Sequence, residues 1–171
     1  MSVVLYGSNV VALDPGKNNL GWAIFEGTTL KACGLSRTNK KTLGERALEL
    51  RDNIAFFFYH RTHLTAVVEQ MVDYPYRQGS PQARISKTKA LLELQAIANF
   101  VAGSLSPTKL VHLKPAEWKG QVTKEISASR TLRKLSDEEL QIVTGGILKV
   151  PASLRHNVYD AIGIGLSYLE R

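Results

Sequence analysis

Apolar positions recur along this chain with two different periods. In "NVVALDP", Asn9 to Pro15, apolar and β-branched residues run unbroken to Asp14, and "LGWAIFEG" and "LKACGLS" repeat that character after short turns. The pattern predicts a three-stranded antiparallel meander. From Lys41 to His60 the period lengthens: Leu43, Ala47, Leu50, Ile54, Phe57 and Phe58 recur at helical spacing, with Glu45, Arg46, Glu49, Arg51 and Asp52 between them, as in an amphipathic helix. "LTAVVEQM" predicts a short buried strand whose only charge is Glu69, bounded upstream by Thr62 and His63 and downstream by "DYPYRQGSP". Arg84 to Ser104 predicts a second helix, apolar at Leu91, Leu92, Ile97, Ala98 and Val101, with Gly103 near its end. "KLVHLKP" predicts a fifth strand stopped by Pro115. The polar segment after it predicts one or two short helices closing at Gly145 and Gly146. A last helix is expected from about Leu154 to Tyr168, with Val158, Ile162 and Leu166 on one face.

Antiparallel strands followed by strand-helix alternation imply an α/β fold: a five-stranded mixed sheet with helices on both faces. The element order resembles the ribonuclease H-like fold. At 171 residues, with no internal repeat, low-complexity tract or long linker, the chain is expected to form a single domain spanning 1–171.

Composition narrows the class. Hydrophobic residues make up 44% and charged residues 22%, and no apolar run approaches the ~20 residues of a membrane span. "MSVVLYGSNVV" lacks a basic n-region and a cleavage pattern, so it reads as part of the fold rather than a signal peptide. Cys33 is the only cysteine, which excludes an intramolecular disulfide, suits a reducing cytoplasm and fits a small buried core residue. Lys and Arg number 22 against 15 acids, for a net charge of +7 and a pI near 9.6, a balance that favours polyanions and above all nucleic acid. The excess is local. Arg77, Arg84, Lys87 and Lys89 lie in a stretch without acids, and seven cations between Lys109 and Lys134 face only Glu117 and Glu125. Both stretches are expected to face phosphate.

Against this background three acids interrupt apolar segments: Asp14 at the end of the first strand, Glu69 at the end of the fourth, and Asp160 within "VYDAIGIGL". A carboxylate on a buried face costs several kcal/mol, on the order of 3–5, unless it is paired, hydrogen-bonded or metal-bound. Each has an ordinary explanation. Asp14 before Pro15-Gly16 suits a turn, Glu69 an ion pair with an arginine, and Asp160 a buried pair with a Lys or Arg from the basic segments. Together they also suit two Mg²⁺ ions, with Mn²⁺ as a substitute: hard cations prefer oxygen ligands, and two ions ~3.5–4 Å apart hydrolyse phosphodiesters by activating water and stabilising the leaving oxygen. His156 and Asn157, four and three residues before Asp160, lie on its side of a helix and are candidates to complete the metal site, His156 also as a general base. Helix capping is the alternative for Asn157, and a partly exposed polar position the alternative for His156.

"ALDPGKNNLGWAIFE" resembles the first motif of RuvC-type Holliday-junction resolvases, "VVEQM" their second acidic motif, and "HNVYDAIGIGL" their C-terminal acidic helix. The resemblance spans nearly the whole chain. It is closest to small phage-encoded members, through Pro115, Trp118, Lys119, Gly120, Lys124 and the ending His156 to Leu166. It implies that Asp14, Glu69 and Asp160 are metal ligands. The chain departs at the fourth acid, where His156 is preferred to Asn157 because imidazole is the better base and ligand. Lys119 and Lys124 fall where the family has basic residues near the scissile phosphate, and Lys119 is the preferred cation for offsetting transition-state charge. In the loop after Glu69, Tyr74 and Tyr76 are candidates to stack on unpaired bases, or else to cap the core or a dimer contact, with Arg77, Arg84, Lys87 and Lys89 on phosphates. The resemblance further implies a homodimer, because a four-way junction needs paired nicks on opposing strands, and the second long helix is the natural interface. The implied activity is an Mg²⁺-dependent endodeoxyribonuclease that resolves four-way junctions.

Other readings share features. Sugar kinases and Hsp70-like ATPases also open on an Asp-x-Gly hairpin but need two such domains. A nuclease of the same fold acting on flaps, forks or RNA-DNA hybrids would share the site logic, and a non-catalytic junction-binding module would use the acids structurally.

Overall fold

The structure, a computed structural model, describes residues 9–58, 63–71 and 80–171. Strands β1 (Asn9–Pro15), β2 (Asn19–Glu26) and β3 (Thr29–Arg37) form the expected antiparallel meander. Two more strands, β4 (Leu64–Glu69) and β5 (Lys109–Leu113), extend the sheet in parallel on the other side of β1, giving the order β3-β2-β1-β4-β5. Helix α1 (Leu43–Ala55) precedes β4 and α2 (Pro81–Ser104) precedes β5. The chain then continues through α3 (Pro115–Trp118), α4 (Lys124–Leu132), α5 (Asp137–Ile147) and α6 (Arg155–Tyr168).

Strand periodicity sorts the core into two layers, because successive side chains point to opposite faces. Val11 and Leu13 of β1, Ile24 of β2, and Ala66 and Val68 of β4 pack with Leu50 of α1 and Ile97 and Val101 of α2. Their neighbours Val10, Ala12, Ala23, Phe25 and Val67 pack on the opposite face with Val158, Ala161 and Ile162 of α6. Each fully buried Leu, Val or Phe contributes ~1.5–3 kcal/mol, so both layers are needed to hold the sheet. Among the described residues, no helix is long and apolar enough to cross a membrane.

Several boundaries differ from the periodic pattern, each for a local reason. Helix α1 stops at Ala55 and passes into a 3-10 turn over Phe56–Phe58. Helix α2 begins at Pro81, upstream of the apolar pattern: Ser80 accepts a hydrogen bond from the Ala83 N–H, and proline in the first turn has no N–H to satisfy. The segment after β5 holds three helices rather than one or two. Gly145 and Gly146 lie inside α5 rather than closing it, and a Cβ on Gly146 would sit 2.4 Å from the Cys33 carbonyl oxygen. The missing side chain lets α5 lie directly on β3, over the buried Cys33.

One buried acid serves this scaffold. Glu139 accepts from the Leu30 N–H at 2.7 Å and the Ser136 N–H at 2.9 Å, while Arg171 grips its two oxygens at 2.7 and 2.8 Å. Hydrogen bonds from Arg171 outweigh the cost of burial and pull the Glu139 carboxyl down to about 2. The knot ties α5 and the last residue to the β2–β3 turn.

Candidate active site

The same alternation that builds the core aims two of the anomalous acids at one helix. Asp14 has the parity of Val10 and Ala12, and Glu69 that of Val67, so both face the α6 layer. The parallel register pairs Leu13 with Val68, which sets Asp14 and Glu69 side by side at the C-terminal ends of adjacent strands. Asp14 lies opposite Gly21 of β2, where a Cβ would come within 2.0 Å of the Asn157 carbonyl oxygen. Glycine there lets the first turn of α6 rest on bare backbone, and Asp160 follows on the same helix, buried beside the strand ends. The turn after Asp14 is closed by the Gly16 N–H donating to the Asn19 carbonyl at 2.8 Å.

Among the described residues a single ammonium answers these carboxylates. Lys119 Nζ lies 3.2 Å from Glu69 and 3.6 Å from Asp160 and stands over the Trp118 ring at 4.5 Å from its centroid. The Trp118 indole N–H donates to the same Glu69 oxygen at 3.2 Å. Burial, then the charges of Glu69 and Asp160, push the Asp14 carboxyl well above the usual carboxylate range, and a hydrogen bond with Glu69 raises it further. Burial also raises Asp160, against the opposing pull of Lys119. For Lys119 burial works downward, but Glu69, Asp160 and Asp14 outweigh it and its pKa is raised.

His156 and Asn157 separate. The ring Nε2 of His156 lies 3.1 Å from Lys124 Nζ, and His156 and Lys124 both lower the Asp160 pKa. The Asn157 side chain instead donates to the Asn19 carboxamide at 3.1 Å, tying α6 to the start of β2. Arg84, Lys87 and Lys89 stand on the exposed N-terminal half of α2, and Lys124 on the exposed start of α4. Tyr74, Tyr76 and Arg77 lie outside the described residues.

Two contributors were not expected from sequence. Trp118 was visible only as part of a motif, and its contact with Glu69 depends on α3 folding back over the end of β4. Buried Arg46 was one charge among several on α1. It donates to the Lys17 carbonyl at 3.0 Å and to Glu93 at 3.2 Å, bracing the turn that follows Asp14 against α1 and α2. A basic residue within a helical pattern carries no signal of this.

The donor set suits a hard divalent cation. Asp14, Glu69 and Asp160 offer oxygen atoms only, and among the described residues their one direct counter-charge is Lys119, so burial favours the protonated forms of Asp14 and Asp160 and a divalent cation would supply the positive charge that the cluster lacks. Among the described residues no three His, Cys, Asp or Glu side chains stand in ligating geometry around one point. The Lys119 ammonium takes the position between Glu69 and Asp160, so both acids are ion-paired as the structure stands, Glu69 with a lysine rather than the arginine expected.

No protein-family model and no curated protein matches the chain. Among solved structures it is similar to T. thermophilus RuvC in complex with a Holliday junction substrate, at 17% identity over 94% of this chain and 91% of that one, with a TM-score of 0.61. It is also similar to the yeast mitochondrial Holliday junction resolvase Ydc2, at 12% identity over 98% of this chain and 80% of that one, with a TM-score of 0.58. At these identities the likeness is one of fold, and the five-stranded mixed sheet with helices on both faces is the ribonuclease H-like fold of these proteins.

Proposed function

We propose that this chain is a RuvC-type endodeoxyribonuclease that resolves four-way DNA junctions by paired, symmetrical nicks. The carrying observation is the convergence of Asp14, Glu69 and Asp160 from β1, β4 and α6 into one buried cluster that raises the Asp14 carboxyl and holds Lys119 as its direct counter-charge among the described residues. Burying three carboxyls that one ammonium cannot fully answer costs stability, so a fold that keeps them together has a use for them. Likeness in fold to a RuvC structure holding a junction supports DNA as the substrate.

Asp14, Glu69 and Asp160 would hold Mg²⁺ or Mn²⁺, with His156 at the rim. Two such ions, when bound, supply the activated water and the stabilisation of the leaving oxygen. The protein's own residues do the rest. Lys119 places a positive charge beside the cluster, where phosphate charge builds up during cleavage. Trp118 fixes one oxygen of Glu69, and Arg46 and Asn157 hold the turn and helix that carry Asp14 and Asp160. Arg84, Lys87, Lys89 and Lys124 form the DNA-facing surface.

A homodimer fits the two-fold substrate. Helix α2 buries only Ile97, Ala98, Val101 and Ala102, leaving Ile85 at 69% and Leu92 at 66% exposure on the half that precedes them. A second copy meeting this half would cover those residues and present two equal sites.

A cleavage gel comparing synthetic four-way, fork, flap and linear DNA in Mg²⁺ tests the reading. Symmetrical nicks in the four-way junction are expected, and equal cutting of linear duplex would refute it.

A further inference from the structure

A cavity of ≈ 180 Å³ lies between α3, α4 and α6, and its wall includes Lys119, Arg130 and Lys134 but no acid. Ser127 and Thr131, one turn apart on α4, also line it. Each is only 5% exposed, and among the described residues neither hydroxyl has a hydrogen-bond partner. Among the described residues Arg46 Nε is the one sealed side-chain polar atom without a partner, so the two hydroxyl oxygens are accessible and free to donate into the cavity they line. Arg130 likewise pairs with no described acid, whereas Lys134 donates to the Arg171 carbonyl and Lys119 to Glu69. Gly163 keeps the space open: a Cβ there would lie 2.8 Å from the Trp118 ring and 2.9 Å from Thr131 Oγ1. Three cations, two hydroxyl donors and no carboxylate around so small a space are the chemistry of a tetrahedral oxyanion site.

We propose that this cavity binds phosphate, supplied either by the DNA backbone or as a free phosphate group. It shares Trp118 and Lys119 with the carboxylate cluster, and its affinity for free phosphate stands apart from whether the chain cuts DNA.

The test follows the unfolding midpoint of the metal-free protein as inorganic phosphate replaces chloride at constant ionic strength. Phosphate stabilises folded proteins in general by exclusion from their surface, so the readout is the saturable part of the shift and its loss in variants. The wild type is expected to show saturation. Arg130→Gln and Thr131→Val should weaken the apparent phosphate affinity about ten-fold each. Gly163→Ala, which fills the space, should abolish it. Arg130 is exposed, so its variant keeps the test independent of folding. A wild-type shift that never saturates, or one that all three variants share, would overturn the site. The source is then read from junction binding by an Asp14→Asn background. If DNA supplies the phosphate, Arg130→Gln lowers the slope of log affinity against log salt by about one and inorganic phosphate competes with the junction. An unchanged slope alongside a saturable shift assigns the site to free phosphate.

Discussion

Two clusters of buried charge sit on the same side of this sheet and have opposite electrostatics. At the α5 knot, Glu139 meets Arg171 through both oxygens and two backbone N–H groups, and its carboxyl falls to about 2. At the strand ends, Asp14, Glu69 and Asp160 share one ammonium, and the Asp14 carboxyl rises well above its ordinary range. Burial is common to both, so burial does not decide the outcome. The number of donors per carboxylate does: the knot is saturated and serves stability, whereas the strand-end cluster has fewer donors per carboxylate, which is the basis of the metal-binding role proposed for it.

The sharpest way to break the comparison is to neutralise one acid from each side. Asp14→Asn is expected to lower junction cutting by 10³-fold or more, on the order of the several kcal/mol that metal-assisted hydrolysis supplies, while junction binding persists in a mobility-shift assay. Glu69→Gln and Asp160→Asn should behave likewise, and full activity in both would end the two-metal assignment. Glu139→Gln should do the reverse. It is expected to cost on the order of 3 kcal/mol in denaturant unfolding with cutting per folded molecule unchanged.

The pH dependence of the knot has a definite sign. The folded carboxyl lies near 2 against an ordinary 4.5, so the stabilisation is complete above 4.5 and is lost as pH falls through about 2. Acid unfolding of the wild type should show this loss, and Glu139→Gln should flatten it. A curve with the same shape in both proteins would remove Glu139 from the account.

Adding the missing charge should separate the clusters further. Mg²⁺ at ~10–100 times its dissociation constant is expected to stabilise the wild type by about 1–3 kcal/mol, measured as a rise in Tm. Glu139→Gln should retain this rise and Asp14→Asn should lose most of it. A smaller change is expected from Lys119→Gln: cutting falls about 10²-fold, and the metal-free protein loses about 1–3 kcal/mol because Glu69 and Asp160 lose their partner. Unaltered kinetics would leave Lys119 as a structural counter-ion only.

Much of this was legible in the chain, unevenly. Unbroken apolar runs located β1 and β4, and their single carboxylates stood out because a buried run admits a charge only where it is paired, hydrogen-bonded or ligating. The C-terminal helix was legible in the same way, from one Asp within "VYDAIGIGL". Helix ends were less so: Ser80-Pro81 starts α2 by capping, ahead of any apolar period, and Gly145-Gly146 reads as a stop until β3 is seen pressed against it. His156 and Asn157 are adjacent in sequence and equivalent in spacing, yet one meets Lys124 and the other Asn19. The knot left no trace, since Glu139 and Arg171 are ordinary surface-type residues until distant segments bring them together.

The sequence by itself therefore determined the periodicities, and through them the order of strands and helices along the chain and the shared parity of Asp14 with Val10 and Ala12. Side-chain alternation is a local property of the backbone, so no distant contact is needed to read it. Only the tertiary structure decided which cation answers which carboxylate, that Lys119 stands between Glu69 and Asp160, and that Arg171 satisfies Glu139. Those pairings depend on distances between residues far apart in the chain, and electrostatic energy in a protein follows distance and burial rather than sequence position.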